Sequence, residues 1–528
     1  MATNPFDTPP LSRVHTTDAP APAERPKRMP STALPPAAPY QAVAKPWTTK
    51  SNPRARISYF MTWCLLFVGA GLGGIQAYFS YRNVRIDRAP LCLVFEDNFN
   101  EGDDAAVFGT ATTPGRWLRE VQMGGFGNGE FEMTTGSSNN SFLQNGHLYI
   151  VPTLTPDAPY PDGTTYNSTD CTFNITAPNG GFSVPPKPGS PPGTPNSFDW
   201  DGYYSACSRT SNSSDGTIIN PVQSARLTTF ISAQSGSEAT LSSGKLRYGR
   251  IEVRAKMPVG DWLWPAIWML PVDSVYGAWP RSGEIDIVES RGNGLEYTNR
   301  GANFVQGALN WGPSVALNSV GKSFSYWGEK RKLFSSDFHT YAVEWTDKWI
   351  RVSVDTRLHT LLDLQFNEPF FQRGDYPATV TGADGHPEAV QNPWTNATNA
   401  DAAPFDQDFF LIMNVAVGGT NGWFPDGQGN KPWVNNAGST SPVFPRLCTC
   451  TRADDARARL DPMKDFINGK SQWLPTWPED LEQRAMVVDY VRMWKHCGDP
   501  QPDNQTDRQT DRQTLRLVAS IPFAFRVP

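Results

Sequence analysis

Charge is scarce in this 528-residue chain: Asp, Glu, Lys and Arg together make up 19% of it, and the net charge is −6. With no basic, aromatic-interleaved run in the main part of the chain, that balance argues against nucleic acid as a partner. Histidine numbers only six. No His or Cys stands at zinc-ligand spacing around Cys448 and Cys450, which argues against a metal there. Helical periodicity of any quality is missing between about residues 90 and 498, so a helical bundle is excluded. Tryptophan, by contrast, reaches 18. A core needs few of these, so about half are expected as exposed platforms for flat, partly apolar ligands such as sugar rings.

Residues 1–56 are rich in Pro, Ala and Thr, carry eight Lys/Arg against three Asp/Glu, and read as a disordered tail. Residues 57–81 follow as 25 positions without a charge, long enough to cross a bilayer, too long and too far from the first residue for an ordinary cleaved signal peptide. A signal-anchor is expected, with 82–89 as linker. Cations flank it on both sides, Lys45, Lys50, Arg54 and Arg56 before and Arg82, Arg85 and Arg88 after, so orientation rests on other signals. Six Asn-x-Ser/Thr sequons lie after the span, at Asn139, Asn167, Asn174, Asn212, Asn396 and Asn504. Cys64 lies within the span and the other six cysteines follow it, an even set suited to an oxidising compartment. The expectation is a single-pass type II membrane protein, its tail cytosolic and its bulk lumenal or extracellular, in the endoplasmic reticulum, Golgi or plasma membrane. Cys171 with Cys207, and Cys92 with Cys497, are attractive pairs, because the first brackets a loop-rich insertion and the second joins the domain's two ends.

Short runs such as RIEVRAKM, EIDIVE, TYAVEW, WIRVSVD and VVDYVRMW alternate apolar with polar residues, and Gly, Pro, Asn and Asp separate them. An all-β antiparallel sandwich over 90–498 is implied. Residues 155–220 lack periodicity and read as a loop-rich insertion. Residues 499–528 contain the repeat Thr-Asp-Arg-Gln and read as a disordered or artefactual tail.

The chemistry concentrates in Glu284-Ile-Asp286-Ile-Val-Glu289. In a strand, Glu284 and Asp286 share one face while Ile285 and Ile287 take the other. Regular alternation hides Glu289, but one extra residue at Ile287/Val288 returns it to the face of the other two. Three carboxylates on one face repel each other, so a purely structural role is a poor explanation. Retaining glycoside hydrolysis needs two carboxyl groups about 5–5.5 Å apart, one ionised and one protonated. A third between them can share a proton and keep the two pKa values apart. A calcium cluster fits less well, since it draws on loop carbonyls and Gly-spaced acids.

This string resembles the catalytic signature of glycoside hydrolase family 16 in its bulged E-x-D-x-x-E form. Tyr248-Gly-Arg-Ile-Glu-Val-Arg-Ala-Lys-Met-Pro, Gly260-Asp-Trp-Leu-Trp264-Pro-Ala-Ile-Trp268, His339-Thr-Tyr-Ala-Val-Glu-Trp345, Asn414-Val-Ala-Val-Gly-Gly419 and Val488-Asp-Tyr-Val-Arg-Met-Trp494 extend the resemblance, which is to the laminarinase and β-1,3-glucan-recognition branch. It implies a concanavalin A-like β-jelly-roll with a concave glycan cleft. It makes Glu284 the nucleophile, Asp286 its assistant and Glu289 the acid/base. Trp279 is expected to stack on a donor-side sugar. Trp264 is expected in the cleft or the core, and Trp268 in the core. Asn310, Trp311 and Trp423 are further substrate-binding candidates. Asn310 stands where the branch usually has His; Asn can still hydrogen-bond a sugar but cannot carry charge. His339 reads equally as a structural histidine. No cofactor is required, and the resemblance allows a structural calcium with Asp489 near it.

Four functions compete, of which a structural surface glycoprotein explains the anchor and the sequons but not the carboxylates. The first is a retaining endo-β-glucanase acting on β-1,3 or mixed β-1,3/1,4-glucan. The topology resembles fungal membrane proteins of cell-wall β-glucan assembly, which implies a transglycosylase or assembly factor as the second. A non-catalytic β-glucan-binding protein is the third, and the presence of all three acids counts against it.

Overall fold

The computed structural model describes residues 53–497 except 84, 88, 101, 110–114, 169, 174–199, 213, 215–216, 230–243, 383–384 and 436–460. Of the expected tails, residues 1–52 of 1–56 and all of 499–528 lie outside the described residues, as do Cys448 and Cys450, while residues 53–56 are helical. The chain forms two compact units, Met1–Ile86 and Asp87–Pro528.

In the first unit, the apolar run forms one helix, Pro53–Asn83, of 31 residues. Proline at its start costs nothing, because the first turn has no use for that N–H. At 1.5 Å per residue it is about 46 Å long. By length and composition it can cross a membrane, and its most apolar stretch is not buried.

Besides one three-stranded and two two-stranded sheets among the described residues, the second unit is built around two antiparallel eight-stranded sheets. One runs Thr360–Gln365, Trp349–Val354, His339–Trp345, Gly249–Lys256, Met486–His496, His147–Ile150, Ser141–Gln144, with Leu91–Asp97 also on Met486–His496. The other runs Phe324–Gly328, Phe304–Asn310, Glu284–Ser290, Leu263–Pro271, Phe409–Val417, Arg226–Thr228, Leu118–Glu120, with Lys245–Leu246 also on Phe409–Val417. Alternation does the sorting: along Gly249–Lys256 every second residue is buried. Val253, Val343, Val352 and Val491 of the first sheet join Ile267, Ile285, Leu309 and Met413 of the second in one buried cluster. Each such side chain contributes about 1.5–3 kcal/mol by leaving water. The expected sandwich is therefore present, and its second sheet carries the acids on the face turned away from that core.

One expectation changes here. The 155–220 insertion is not loop alone: Thr165–Asn167 pairs with Ser208–Thr210, and Trp200–Cys207 is helical. Asp489 accepts from Arg254 through one carboxylate oxygen, and His147 Nε2 lies 3.8 Å from the other. Both proposed disulfides are formed, Cys92–Cys497 and Cys171–Cys207.

Candidate active site

The Glu284–Ser290 strand lies between Leu263–Pro271 and Phe304–Asn310. On the Phe304–Asn310 side, Asp286 faces Ala308 and Glu289 faces Gln306, so three steps on one strand match two on the other. On the opposite side Asp286 faces Trp268, Val288 faces Ile267 and Glu289 faces Ala266. The extra residue is a bulge at Ile287/Val288, where the sequence requires it. Ile285, Ile287 and Val288 are all 0% exposed, in the core. Their burial holds the strand so that Glu284, Asp286 and Glu289 emerge together on the other face.

Two of the acids share a donor, and the third has its own. Glu284 accepts from Trp279 Nε1 at 3.1 Å and from Asn310 Nδ2 at 2.7 Å. The same Asn310 nitrogen donates to Asp286 at 2.9 Å. Asn318 Nδ2 donates to Asn310 Oδ1 at 2.7 Å, which fixes the amide so that its nitrogen faces the acids. Glu289 accepts from Trp264 Nε1 at 2.9 Å and from Gln306 Nε2 at 3.3 Å.

Electrostatically the three acids are one group. Burial, then the charge of Glu289, pushes Glu284 up to about 8. Burial and the charges of Glu284 and Glu289 hold Asp286 well above the carboxylate range. Burial also raises Glu289, against its two N–H donors. Three such groups cannot all ionise together, so the cluster keeps protons at neutral pH. A value near 8 is by itself unsuited to an ionised nucleophile. The donors decide where the charge sits: a protonated Asp286 that bonds Glu284 joins Trp279 and Asn310 in stabilising negative charge there.

The tryptophans separate into different roles. Trp279 is 41% exposed beside Glu284, with a ring face open to a ligand. Trp264 is only 7% exposed and stacks on Trp423 at 4.7 Å, so it serves Glu289 through its N–H and presents no platform. Trp423 is half-buried, with the Arg291 guanidinium 4.0 Å from its ring as well. Trp311 is 0% exposed, packed on Phe370 and bonded to Ser323, so it belongs to the core and not to the cleft. Trp268 corrects the opposite way. It is half-buried on the face of Asp286, its Nε1 donating to Asn414 at 2.7 Å and Arg226 lying 4.7 Å from its ring. His339 bonds Asp355 on the other sheet, as a structural histidine does.

Several residues of the acids' face had no signal in the sequence. Gln306 and Asn318 act across strand and loop. Arg226 pairs with Glu120 at 3.1 Å, and Arg226 lies opposite Asn414 in the sheet. Gln306, Asn318 and Arg226 lie in no local motif with a chemical signature; strand register brings Gln306 and Arg226 to the acids' face, and a loop brings Asn318 to Asn310.

The model of the Glycosyl hydrolases family 16 matches residues 207–382. A β-1,3-glucan-binding protein of Penaeus monodon is 38% identical over 408 residues, 76% of this chain and 90% of its own. Glucan endo-1,3-beta-glucosidase A1 of Niallia circulans is 38% identical over 186 residues, 35% of this chain and 22% of its own. The laminarinase of Rhodothermus marinus is 23% identical, aligned over 78% of this chain and 99% of that one with a TM-score of 0.38. With its bulged triad of acids, the matched family model and a relative 38% identical over 76% of this chain and 90% of its own length, the chain belongs to glycosyl hydrolase family 16.

Proposed function

We propose that the chain is a retaining endo-β-glucanase acting on β-1,3 or mixed β-1,3/1,4-glucan. The observation that carries this is the bulge that sets Glu284, Asp286 and Glu289 on one face, each held by at least one N–H donor. In the first step a Glu284 oxygen bonds the anomeric carbon as the glycosidic C–O bond breaks, and the Glu289 proton passes to the leaving oxygen. In the second, water gives its proton to Glu289 and its oxygen to the anomeric carbon, releasing Glu284. Asp286 and Asn310 act as positioning groups that steady the Glu284 charge before attack.

We also place the catalytic unit on the lumenal or extracellular side of a membrane, anchored by Pro53–Asn83. The support is the length of that helix, the sequons after it and the disulfides of the second unit. An anchored enzyme suits glycan assembly, and a sugar hydroxyl in place of water in the second step gives transglycosylation from the same residues. A third reading, β-glucan binding as the function itself, is supported by the name of the Penaeus monodon relative, a β-1,3-glucan-binding protein.

Product analysis separates the three. The full-length chain and its Glu284→Gln variant are incubated with laminarin and mixed-linkage oligosaccharides. Shorter products only, absent from the variant, are expected. Longer products as well establish transfer, and binding without turnover in either protein overturns the enzyme reading.

A further inference from the structure

The part of the acids' face built by Phe304–Asn310 and Phe324–Gly328 carries side chains that the reaction above does not use. Gln306 lies opposite Glu289 on one side and Tyr326 on the other, while Ala308 lies likewise between Asp286 and Phe324. Directly opposed residues in an antiparallel sheet share a face. Tyr326 and Phe324 therefore stand on the face of the acids, two strands away, a distance of about 10 Å. Both rings are open, Tyr326 at 50% and Phe324 at 39% exposure. Their alternate, Trp327, turns the other way and packs against the core. The Arg300 guanidinium lies 5.0 Å from the Tyr326 ring centre and 5.8 Å from that of Phe324. Phe304 meets Tyr326 edge-on at 5.8 Å and steadies it.

Phe324–Gly328 is the edge strand of its sheet. Large exposed rings at an edge invite unwanted association, so their presence there calls for a compensating use. Open aromatic rings beside a guanidinium match one ligand chemistry well: a pyranose lays its apolar C–H face on the ring and its hydroxyls accept from the N–H groups. We propose that Tyr326, Phe324 and Arg300 form an outer glucan subsite, about two sugar rings from the bond that is cleaved. It takes a further ring of the same β-glucan chain whose reacting ring lies over Glu284 and Glu289. The identity of the ligand rests on the glucanase reading; the position of the subsite rests on register.

The test uses the full-length chain with Glu284→Gln, in a detergent without a sugar headgroup, titrated calorimetrically with linear β-1,3-gluco-oligosaccharides from trisaccharide to octasaccharide. Tyr326→Ala, Phe324→Ala and Tyr326→Phe are compared in that background. Tyr326→Ala is expected to weaken the octasaccharide roughly five- to twenty-fold, with a loss that shrinks toward the trisaccharide, and Phe324→Ala to follow the same trend. Tyr326→Phe, which keeps the ring, holds affinity close to its parent. An equal loss at every length, no loss at any length, or no binding by the parent overturns the subsite. Laminarin turnover by the chain with Glu284 intact is measured alongside: no turnover together with length-dependent binding removes the glucanase reading and leaves the subsite standing.

Discussion

At the residue scale, the site stores its cost in Glu284. Its folded-state pKa, pushed up to about 8 from an ordinary 4.5 by burial and Glu289, exceeds that of the unfolded chain. A raised carboxyl stabilises the fold fully only below the unfolded value, and that contribution is lost as pH rises through the folded one. The wild-type chain is therefore expected to lose thermal stability between about pH 4.5 and 8. Glu284→Gln cannot ionise, so its melting temperature should exceed the wild type's by a growing margin across that window, reaching a few degrees near pH 8. Scanning calorimetry at several pH values checks this, and a margin independent of pH contradicts it. Asn310 shows why identity and role separate. Read as a sugar-binding candidate, it spends its nitrogen on Glu284 and Asp286 and its oxygen on Asn318. An imidazole at this place adds a charge that titrates near neutrality, whereas the amide donates at every pH.

At the element scale, the bulged strand and its neighbour divide the labour. Glu284–Ser290 supplies the acids, while Leu263–Pro271 sends Trp264 to tune Glu289 and Ile267 and Met269 to the core. The Trp264 N–H favours the ionised form of Glu289 and so lowers its pKa, as the nearby Arg291 charge does, while burial and Glu130 oppose them. Trp264→Phe keeps a ring against Trp423 but removes the N–H. Glu289 should then hold its proton to higher pH, moving the alkaline limb of the pH–rate profile upward, with kcat reduced about tenfold. An unchanged limb would show that the indole matters only for packing. This contact is a cross-strand one, so no spacing within either segment announces it.

At the scale of the molecule, the chain's second unit closes on itself. Leu91–Asp97 pairs with Met486–His496, and the Cys92–Cys497 bond ties these strands across 405 residues of sequence. Such a cross-link removes chain entropy from the unfolded state, and loss of a native one costs about 2–5 kcal/mol. Cys92→Ser is expected to lower the unfolding free energy by that amount and to raise hydrogen exchange in Leu91–Asp97, leaving the distant Glu284–Ser290 strand protected. Equal exchange in both strands would mean that the bond only slows unfolding of the whole.

What the sequence determined alone is local. The membrane-length run, the period-two strands, the placement of three acids on one face and the need for a bulge at Ile287/Val288 all follow from neighbours within a few positions, because strand alternation and helix length are properties of contiguous residues. Tertiary structure decided what depends on pairing between distant segments. Register brought Gln306 to Glu289 and Tyr326 to the same face, turned Trp268 toward Asp286, buried Trp311 and gave Asp489 to Arg254. A one-residue slip in any pairing would exchange the two faces of a strand, and nothing in a strand's own sequence states which partner it will meet.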